Sequence, residues 1–381
     1  MQEALERLDR ADLLRRAVEV ASPCGPRMTV EGRQVTCLCS NDYLSLAGDP
    51  AVRAVAVAAI EKWGVGAGAS RLISGTTGLH VQLERRLAEF KGTPSAVVTS
   101  TGWMANRVAV GALAGPGDLI LCDKLSHASI IDAALCSGAR TRTFAHGNTA
   151  RLEALLRRHR ARARRCLIAT DSLFSMDGDL APLGELVELK KRYDSQLLID
   201  EAHATGVLGR MGRGAAELLG VEGDIDATAG TLSKALGALG GFVTGPEVLV
   251  ETIRNTGRAF IYTTAPPALL CAAVLAGLDI VADQPHRRKH VLELAEQLRV
   301  RLHAVGLKTG KSISQIVPVM IGPAAEALRV SRELFDRGLF VPAIRPPTVP
   351  RGTSRLRVSL CAGHTGDDVA KLADALSEIV A

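Results

Sequence analysis

The chain has 381 residues, of which 47% are hydrophobic and 23% charged, with 37 glycines and a formal net charge of +6. Domains run to about 100–200 residues, so this length means two domains, or one large domain with a smaller companion, and the composition excludes a disordered or low-complexity chain. Only 3% of residues are aromatic, and with no stacking-rich basic element the modest positive charge does not indicate a nucleic-acid binder.

Residues 1–20, "MQEALERLDRADLLRRAVEV", read as an amphipathic helix carrying acids as well as arginines, unlike a signal or transit peptide. "CLC" at 37–39 has period two and reads as one face of a strand rather than a metal clip. The eight cysteines are scattered, without a CxxC pair or a Cys/His cluster of zinc spacing, and read as buried free thiols of a reducing cytoplasm. "GVGAGASRLISG" at 64–75 lacks the strand–GxGxxG–helix setting of a dinucleotide site; GxxxxGK[ST], GxSxG and HExxH are absent from the chain.

From residue 94 onward short β-rich runs alternate with helical stretches: "SAVVTS", "DLILCD", "ARTRTFAH", "RCLIATDSLF", "QLLIDEAH", "DIDATAGTLSKA" and "GGFVTG". That rhythm predicts an α/β fold with a mostly parallel sheet flanked by helices. The densest basic run, "RLEALLRRHRARARRC", interleaves leucines and alanines as a solvated helix face does. A long helix is expected after Pro267, and prolines and Asp279 interrupt "APPALLCAAVLAGLDIVA" before it could span a bilayer. Beyond residue 286 the order is helix, "SQIVPVMIG" strand, helix, "LRVSL" strand and a closing helix, a small α+β domain. The expected division is an N-terminal segment 1–45 packing with the small domain, a large domain 46–285 and a small C-terminal domain 286–381.

In sheets of this kind functional residues gather where strands end at their carboxyl edge. "LLIDEAHATG" puts Asp200 at such an end, followed by Glu201 and His203. A carboxylate there is partly buried, so it either caps the following turn or faces a cation that a ligand can supply. Lys234 in "GTLSKALGALGG" follows another strand-like run among Thr231, Ser233, Ala235 and Gly237. A lysine in small, apolar surroundings is either a snorkelling surface residue or an amine of lowered pKa that condenses with an aldehyde. An aspartate for a pyridinium nitrogen and a lysine for a carbonyl carbon are the pair that pyridoxal phosphate requires. "TSTGWMANRVAV" offers an anion site where Ser100, Thr101 and Gly102 open a helix, and Thr231 can add a hydroxyl. His127 in "DKLSHASIID" can stack on a flat ring or simply hydrogen-bond within its turn.

Eight segments together resemble the α-oxoamine synthases, fold-type I pyridoxal-phosphate enzymes that join an amino acid to an acyl-CoA with loss of carbon dioxide. They are "NDYLSL" (41–46), "SRLISGTTGLHVQLE" (70–84), "STGWMAN" (100–106), "DKLSHAS" (123–129), "DSLFSMDGDLAPL" (171–183), "DEAHATGVLG" (200–209), "GTLSKALGALGG" (230–241) and "RPPTVPRGTSRLRVSL" (345–360). The likeness runs in order over nearly the whole chain.

The resemblance implies that Lys234 bonds covalently to pyridoxal 5'-phosphate, Asp200 pairs with its ring nitrogen, His127 stacks on the ring, and His203 and Ser175 lie near its phenolic oxygen. Gly102, Trp103 and Thr231 would hold the phosphate, with Thr264 of "FIYTTAPP" reaching it from the partner subunit of a homodimer. Position 103 is commonly phenylalanine or tyrosine in this family, a departure of little weight for a backbone contact. Asn41 and Arg345 would meet the substrate, Arg345 taking the amino-acid carboxylate. Arg357 is the substitute, although its place on a predicted strand favours a structural ion pair. The arginine-proline-proline form of the last segment implies L-alanine and pimeloyl-CoA as substrates. A sister reaction using glycine or another acyl-CoA is the alternative. A cytoplasmic enzyme without a membrane or nucleic-acid partner completes the expectation.

Overall fold

The structure, a computed structural model, describes residues 1–380; Ala381, the last residue of the expected C-terminal domain, lies outside the described residues. The described chain divides into two units, the larger being Asp49–Phe174 with Leu180–Pro285, and the smaller Met1–Gly48, Ser175–Asp179 and the described residues from His286 onward.

In the larger unit the seven β-rich runs form one seven-stranded sheet. Its order is Ser95–Thr99, Gly241–Gly245, Ala227–Thr231, Gln196–Asp200, Cys166–Asp171, Leu119–Asp123 and Arg140–Phe144. Only Gly241–Gly245 runs against its neighbours; the remaining pairings are parallel, with Asp200 opposite both Asp171 and Ala229. Strands covered on both faces read as continuous apolar runs rather than as alternation, and Leu119–Asp123, Cys166–Asp171 and Ala227–Thr231 are buried at every position. One face carries Val97, Ile120, Leu167, Leu198 and Val243, which join a core with Ala105, Val108 and Ala109 of helix Gly102–Leu113 and with Leu249, Val250 and Ile253 of helix Glu247–Thr256. The outer strand keeps Arg140 and Arg142 exposed, a charged border that discourages pairing with another chain.

Helix Gly78–Lys91 ends in a lysine buried inside the unit. Its ammonium donates to Glu201 Oε2 at 2.7 Å, to Thr205 Oγ1 at 2.8 Å and to the Arg213 carbonyl. The other Glu201 oxygen accepts from the Ala216 N–H at 2.9 Å. Gly214 lies at φ +133°, where a Cβ would overlap the Glu201 carboxylate, so only glycine admits both the backbone angle and the acid. Opening such a pair by removing one partner costs about 3–5 kcal/mol. The pair ties down the turn that leaves Asp200.

The smaller unit holds two three-stranded sheets. Arg27–Val30 and Arg33–Cys37 make a hairpin through Glu31 and Gly32, both at positive φ, and Leu339–Phe340 adds in parallel. Ser354–Ser359 is the fully buried middle strand of the second sheet, between Ile316–Gly322 and Ala343–Ile344. Helices His286–Ala304, Ala324–Asp336 and Gly366–Val380 complete the unit.

Two expectations change. The N-terminal helix covers Gln2–Arg10 rather than 1–20. Asp12 takes φ +55°, and the Asp12 and Leu14 carbonyls, which a continuing helix would bond internally, accept from the Arg345 guanidinium instead. The cysteines are all free, but Cys24 and Cys136 are exposed rather than buried. The apolar stretch after Pro267 is helix Ala268–Asp283, and among the described residues no single helix is long and apolar enough to cross a membrane.

Candidate active site

Three strand ends of the larger unit converge on one group of side chains. Gln196–Asp200 carries Leu197, Leu198 and Ile199 with no exposed surface and delivers Asp200 to the carboxyl end of the sheet at 6% exposure. Its Oδ1 accepts the Ala202 N–H at 2.7 Å and its Oδ2 accepts from Asn106 Nδ2 at 2.6 Å. Asp200 therefore does cap the turn, and with its second oxygen it faces into the unit. These donors are neutral, leaving the carboxylate's charge available to a cation.

That turn brings His203, 5% exposed, under the loop between strands Ala227–Thr231 and Gly241–Gly245. The loop is drawn tight by Leu232 N–H to the Gly240 carbonyl, Ala238 N–H to the Leu232 carbonyl and Gly237 N–H to the Lys234 carbonyl. Lys234 is half-buried within it, its Nζ 2.9 Å from His203 Nε2. Neighbouring parallel strands thus supply Asp200 and Lys234 to the same edge of the sheet.

Helix Gly102–Leu113 begins beside them, with Thr101 as N-cap accepting the Met104 N–H at 3.2 Å. A Cβ on Gly102 would lie 3.1 Å from Thr231 Cβ, and one on Gly241 would overlap the Thr101 carbonyl. The free N–H groups of the first turn are accordingly drawn up against the Thr231 hydroxyl, a donor set that suits a phosphate. Trp103 is 47% exposed and meets His127 edge-on, ring centroids 5.9 Å apart. Thr264 is exposed, and its carbonyl accepts from Ser100 Oγ of the same chain at 3.2 Å.

His127 caps helix Ala128–Cys136 and donates its backbone N–H to Asp171 Oδ2 at 2.7 Å. Desolvation lowers the pKa of its ring, opposed by the Asp200 charge and assisted by that of Lys234. Asp171, 3% exposed, is held well above the usual carboxylate range by burial and by the nearby charge of Asp200. Asp171, Asn106 and Ser129 went unnoticed in the sequence. Asp171 carried the same signal as Asp200, a carboxylate ending an apolar strand; Asn106 and Ser129 carried none.

A buried carboxylate, a half-buried lysine, a histidine able to stack and an open helix N-terminus form a donor set that fits a phosphorylated heteroaromatic aldehyde.

The smaller unit contains a cluster of its own. Arg357 is 7% exposed on the middle strand, its Nη1 and Nη2 each 3.2 Å from Asn41 Oδ1. The guanidinium also donates to Ser359 Oγ at 2.9 Å, to the Tyr43 hydroxyl at 3.3 Å and, through Nε, to the Ser175 carbonyl. All of these acceptors are neutral. The ion pair expected of Arg357 does not form among the described residues, whereas Arg355 on the same strand is paired with Asp177 at 2.6 Å. A buried guanidinium without a counter-charge is costly unless an anion arrives. Arg345, half-buried, spends its guanidinium on the Asp12 and Leu14 carbonyls, apart from the Asn41 cluster.

The family model described as aminotransferase class I and II matches residues 33–376. The chain is 46% identical over 378 residues to a protein of Geobacter sulfurreducens named 8-amino-7-oxononanoate synthase, covering 98% of this chain and 96% of that one. It is 47% identical over 378 residues to one of the same name from Aromatoleum aromaticum, covering 99% and 97%. Among solved structures, a serine palmitoyltransferase from S. paucimobilis with a bound PLP–myriocin aldimine superposes with a TM-score of 0.94 at 32% identity, covering 99% of this chain and 96% of that one.

Proposed function

Because the chain belongs to the aminotransferase class I and II family and, within it, to the 8-amino-7-oxononanoate synthases, we propose that it joins L-alanine to a pimeloyl thioester, a step of biotin synthesis. The α-carbon of alanine bonds to the thioester carbonyl carbon, CoA departs as the thiol, the alanine carboxylate leaves as carbon dioxide, and 8-amino-7-oxononanoate results. The observation that carries this reading is the meeting of Asp200, His203 and Lys234 at one edge of the sheet.

Pyridoxal 5'-phosphate is the cofactor, and when bound it supplies the electron sink for a carbanion at the alanine α-carbon. Asp200 would hold a proton on its ring nitrogen, a task for which a buried carboxylate with neutral donors is suited. Lys234 Nζ would hold the aldehyde carbon and would take the proton from the substrate's α-carbon. His203, within hydrogen-bond reach of that amine, and the Ser175 hydroxyl serve the phenolic oxygen. The backbone of Gly102 and Trp103 and the Thr231 hydroxyl would hold the phosphate, and His127 would cover the ring.

For the amino-acid carboxylate the geometry of the smaller unit supports Arg357 with Asn41 over Arg345. A planar fork that already has Asn41 beside it takes a carboxylate in a two-pronged fashion that lysine cannot reproduce. Arg357→Lys is expected to raise the KM for L-alanine more than tenfold with little change in cofactor affinity, and Arg345→Lys to leave it within about threefold, since losing a charge-assisted pair in a dry site costs about 2–5 kcal/mol. Alanine titrations of the two variants check this. The opposite ranking returns the carboxylate to Arg345.

The working form is a homodimer. Ser70 pairs with Thr264, and Ala265 N–H bonds the Ala69 carbonyl, so the two segments lie together. On them Val65, Leu72, Ile73 and Tyr262 stand 75%, 52%, 82% and 72% exposed, an apolar surface of the kind that partners cover. Thr264 belongs to the same segment, and its exposed hydroxyl is available to a partner's phosphate site. Sedimentation at working concentration should give twice the 40.2 kDa chain mass; a monomer would count against this. Eight free thiols support a cytoplasmic setting.

The function is tested by CoA release against a panel of amino acids and acyl thioesters. L-alanine with pimeloyl-CoA should give the highest kcat/KM, and a preference for glycine or for a long apolar acyl chain would favour a sister synthase.

A further inference from the structure

The hydrogen-bond chain behind His127 has a direction that can be read atom by atom. Asp200 Oδ2, an oxygen of a carboxylate, can only accept, so the Asn106 atom 2.6 Å from it is the amide nitrogen. That nitrogen sends its second hydrogen to Ser129 Oγ at 2.8 Å. Ser129 Oγ accepts from Asn106, and among the described residues the acceptor within reach of its own hydrogen is its other neighbour, His127 Nδ1, at 2.7 Å. The Ser129 backbone N–H is directed at the same ring nitrogen from 3.3 Å. Asn106 and Ser129 are each 1% exposed, so neither has solvent to turn to. Two donors therefore converge on Nδ1, and a hydrogen there would oppose both.

We propose that His127 is held as its neutral tautomer, with Nδ1 bare and the proton on Nε2, by the buried chain Asp200–Asn106–Ser129, and that Asn106 and Ser129 are positioning residues of the site. The consequence for the cofactor rests on the proposed function. A ring that Asp200 keeps protonated is positive, and a second cation stacked on it would drive it away from the carboxylate. A neutral imidazole covers the ring without that repulsion. The groups facing His127 pull in different directions: Asp200 on its strand and Asp132 on the histidine's own helix favour the cation, while Lys234 and desolvation oppose it. Asp171 accepts the His127 backbone N–H, and Trp103 meets the His127 ring in a T-shaped contact. Desolvation is the largest of these influences and favours the neutral ring, and the two donors on Nδ1 then decide which nitrogen carries its proton.

Long-range ¹H–¹⁵N NMR of the holoenzyme labelled in its nine histidines, with His127 assigned by loss of its signals in His127→Asn, reads each ring nitrogen directly. The expected wild-type spectrum at pH 7.5 has a bare Nδ1 and a protonated Nε2. Ser129→Ala should raise the His127 titration midpoint by about one pH unit, a tenfold change in protonation. Asn106→Leu, which frees the Ser129 hydroxyl to turn and accept, should mix the tautomers, and Ser129→Thr should restore the wild-type state. A purely structural role for the serine would lower Tm and leave the midpoint where it was. A protonated Nδ1 or an imidazolium in the wild type at pH 7.5 overturns the proposal even if no variant folds, and so does a wild-type midpoint in Ser129→Ala. None of these outcomes bears on alanine or thioester turnover, so the proposed reaction stands or falls separately.

Discussion

Lys234→Ala is expected to lose turnover by at least about 10³-fold while remaining folded, because in the proposed reaction one amine serves as both covalent anchor and proton acceptor. The side chain sits in a loop closed by its own backbone hydrogen bonds, so its removal leaves the strands on either side intact. Borohydride reduction followed by peptide mass analysis should attach cofactor mass to the wild-type peptide carrying Lys234 and to no peptide of the variant. If kcat for CoA release stays within tenfold of wild type, Lys234 is a bystander.

The second large effect is expected at Asp200. Asp200→Asn keeps an acceptor for the Ala202 N–H, so the turn that presents His203 survives, and only the charge is removed. If Asp200 merely caps that turn, the variant works almost normally. If the carboxylate holds a proton on the ring nitrogen, loss of the charge weakens the electron sink and kcat falls by about 10²–10⁴ while the cofactor still binds. Comparing kcat with cofactor affinity in one variant separates the two roles. The Asn106 amide would then face an amide rather than a carboxylate across 2.6 Å, so a small loss of stability is expected as well.

What the sequence made legible follows from where its information is local. Each of the seven runs in the larger unit announced itself by β-branched and apolar residues bounded by turn formers, and each became a strand. Asp200 and Lys234 were readable because one ends such a strand and the other follows one, and a parallel sheet sends strand ends to one side. The smaller unit was read less well. Leu339–Phe340 and Ala343–Ile344 are two-residue strands, too short to show a period, and exist only because longer strands offer them an edge.

The N-terminal pattern had helical periodicity to residue 20, yet the helix stops at Arg10. Competition for the carbonyls of Asp12 and Leu14 comes from Arg345, more than three hundred residues away, and no local rule registers it. The same contact explains why Arg345 looked available when its prolines were considered alone. Arg357 was set aside because a strand arginine is usually paired, but the distribution of partners on one strand, Asp177 for Arg355 and neutral acceptors for Arg357, is decided by tertiary packing. Asn106 and Ser129 were invisible for that reason too, since their hydrogen bonds join a helix, a turn and a strand end.

The central claim is a decarboxylative carbon–carbon bond between alanine and a pimeloyl thioester, and isotope-resolved product analysis tests it most directly. L-Alanine labelled with ¹³C at all three carbons, incubated with unlabelled pimeloyl-CoA and the holoenzyme, should yield 8-amino-7-oxononanoate carrying two labelled carbons, with one labelled carbon dioxide and one free CoA per product. A product retaining all three labels, or labelled carbon dioxide released without stoichiometric CoA, would contradict it.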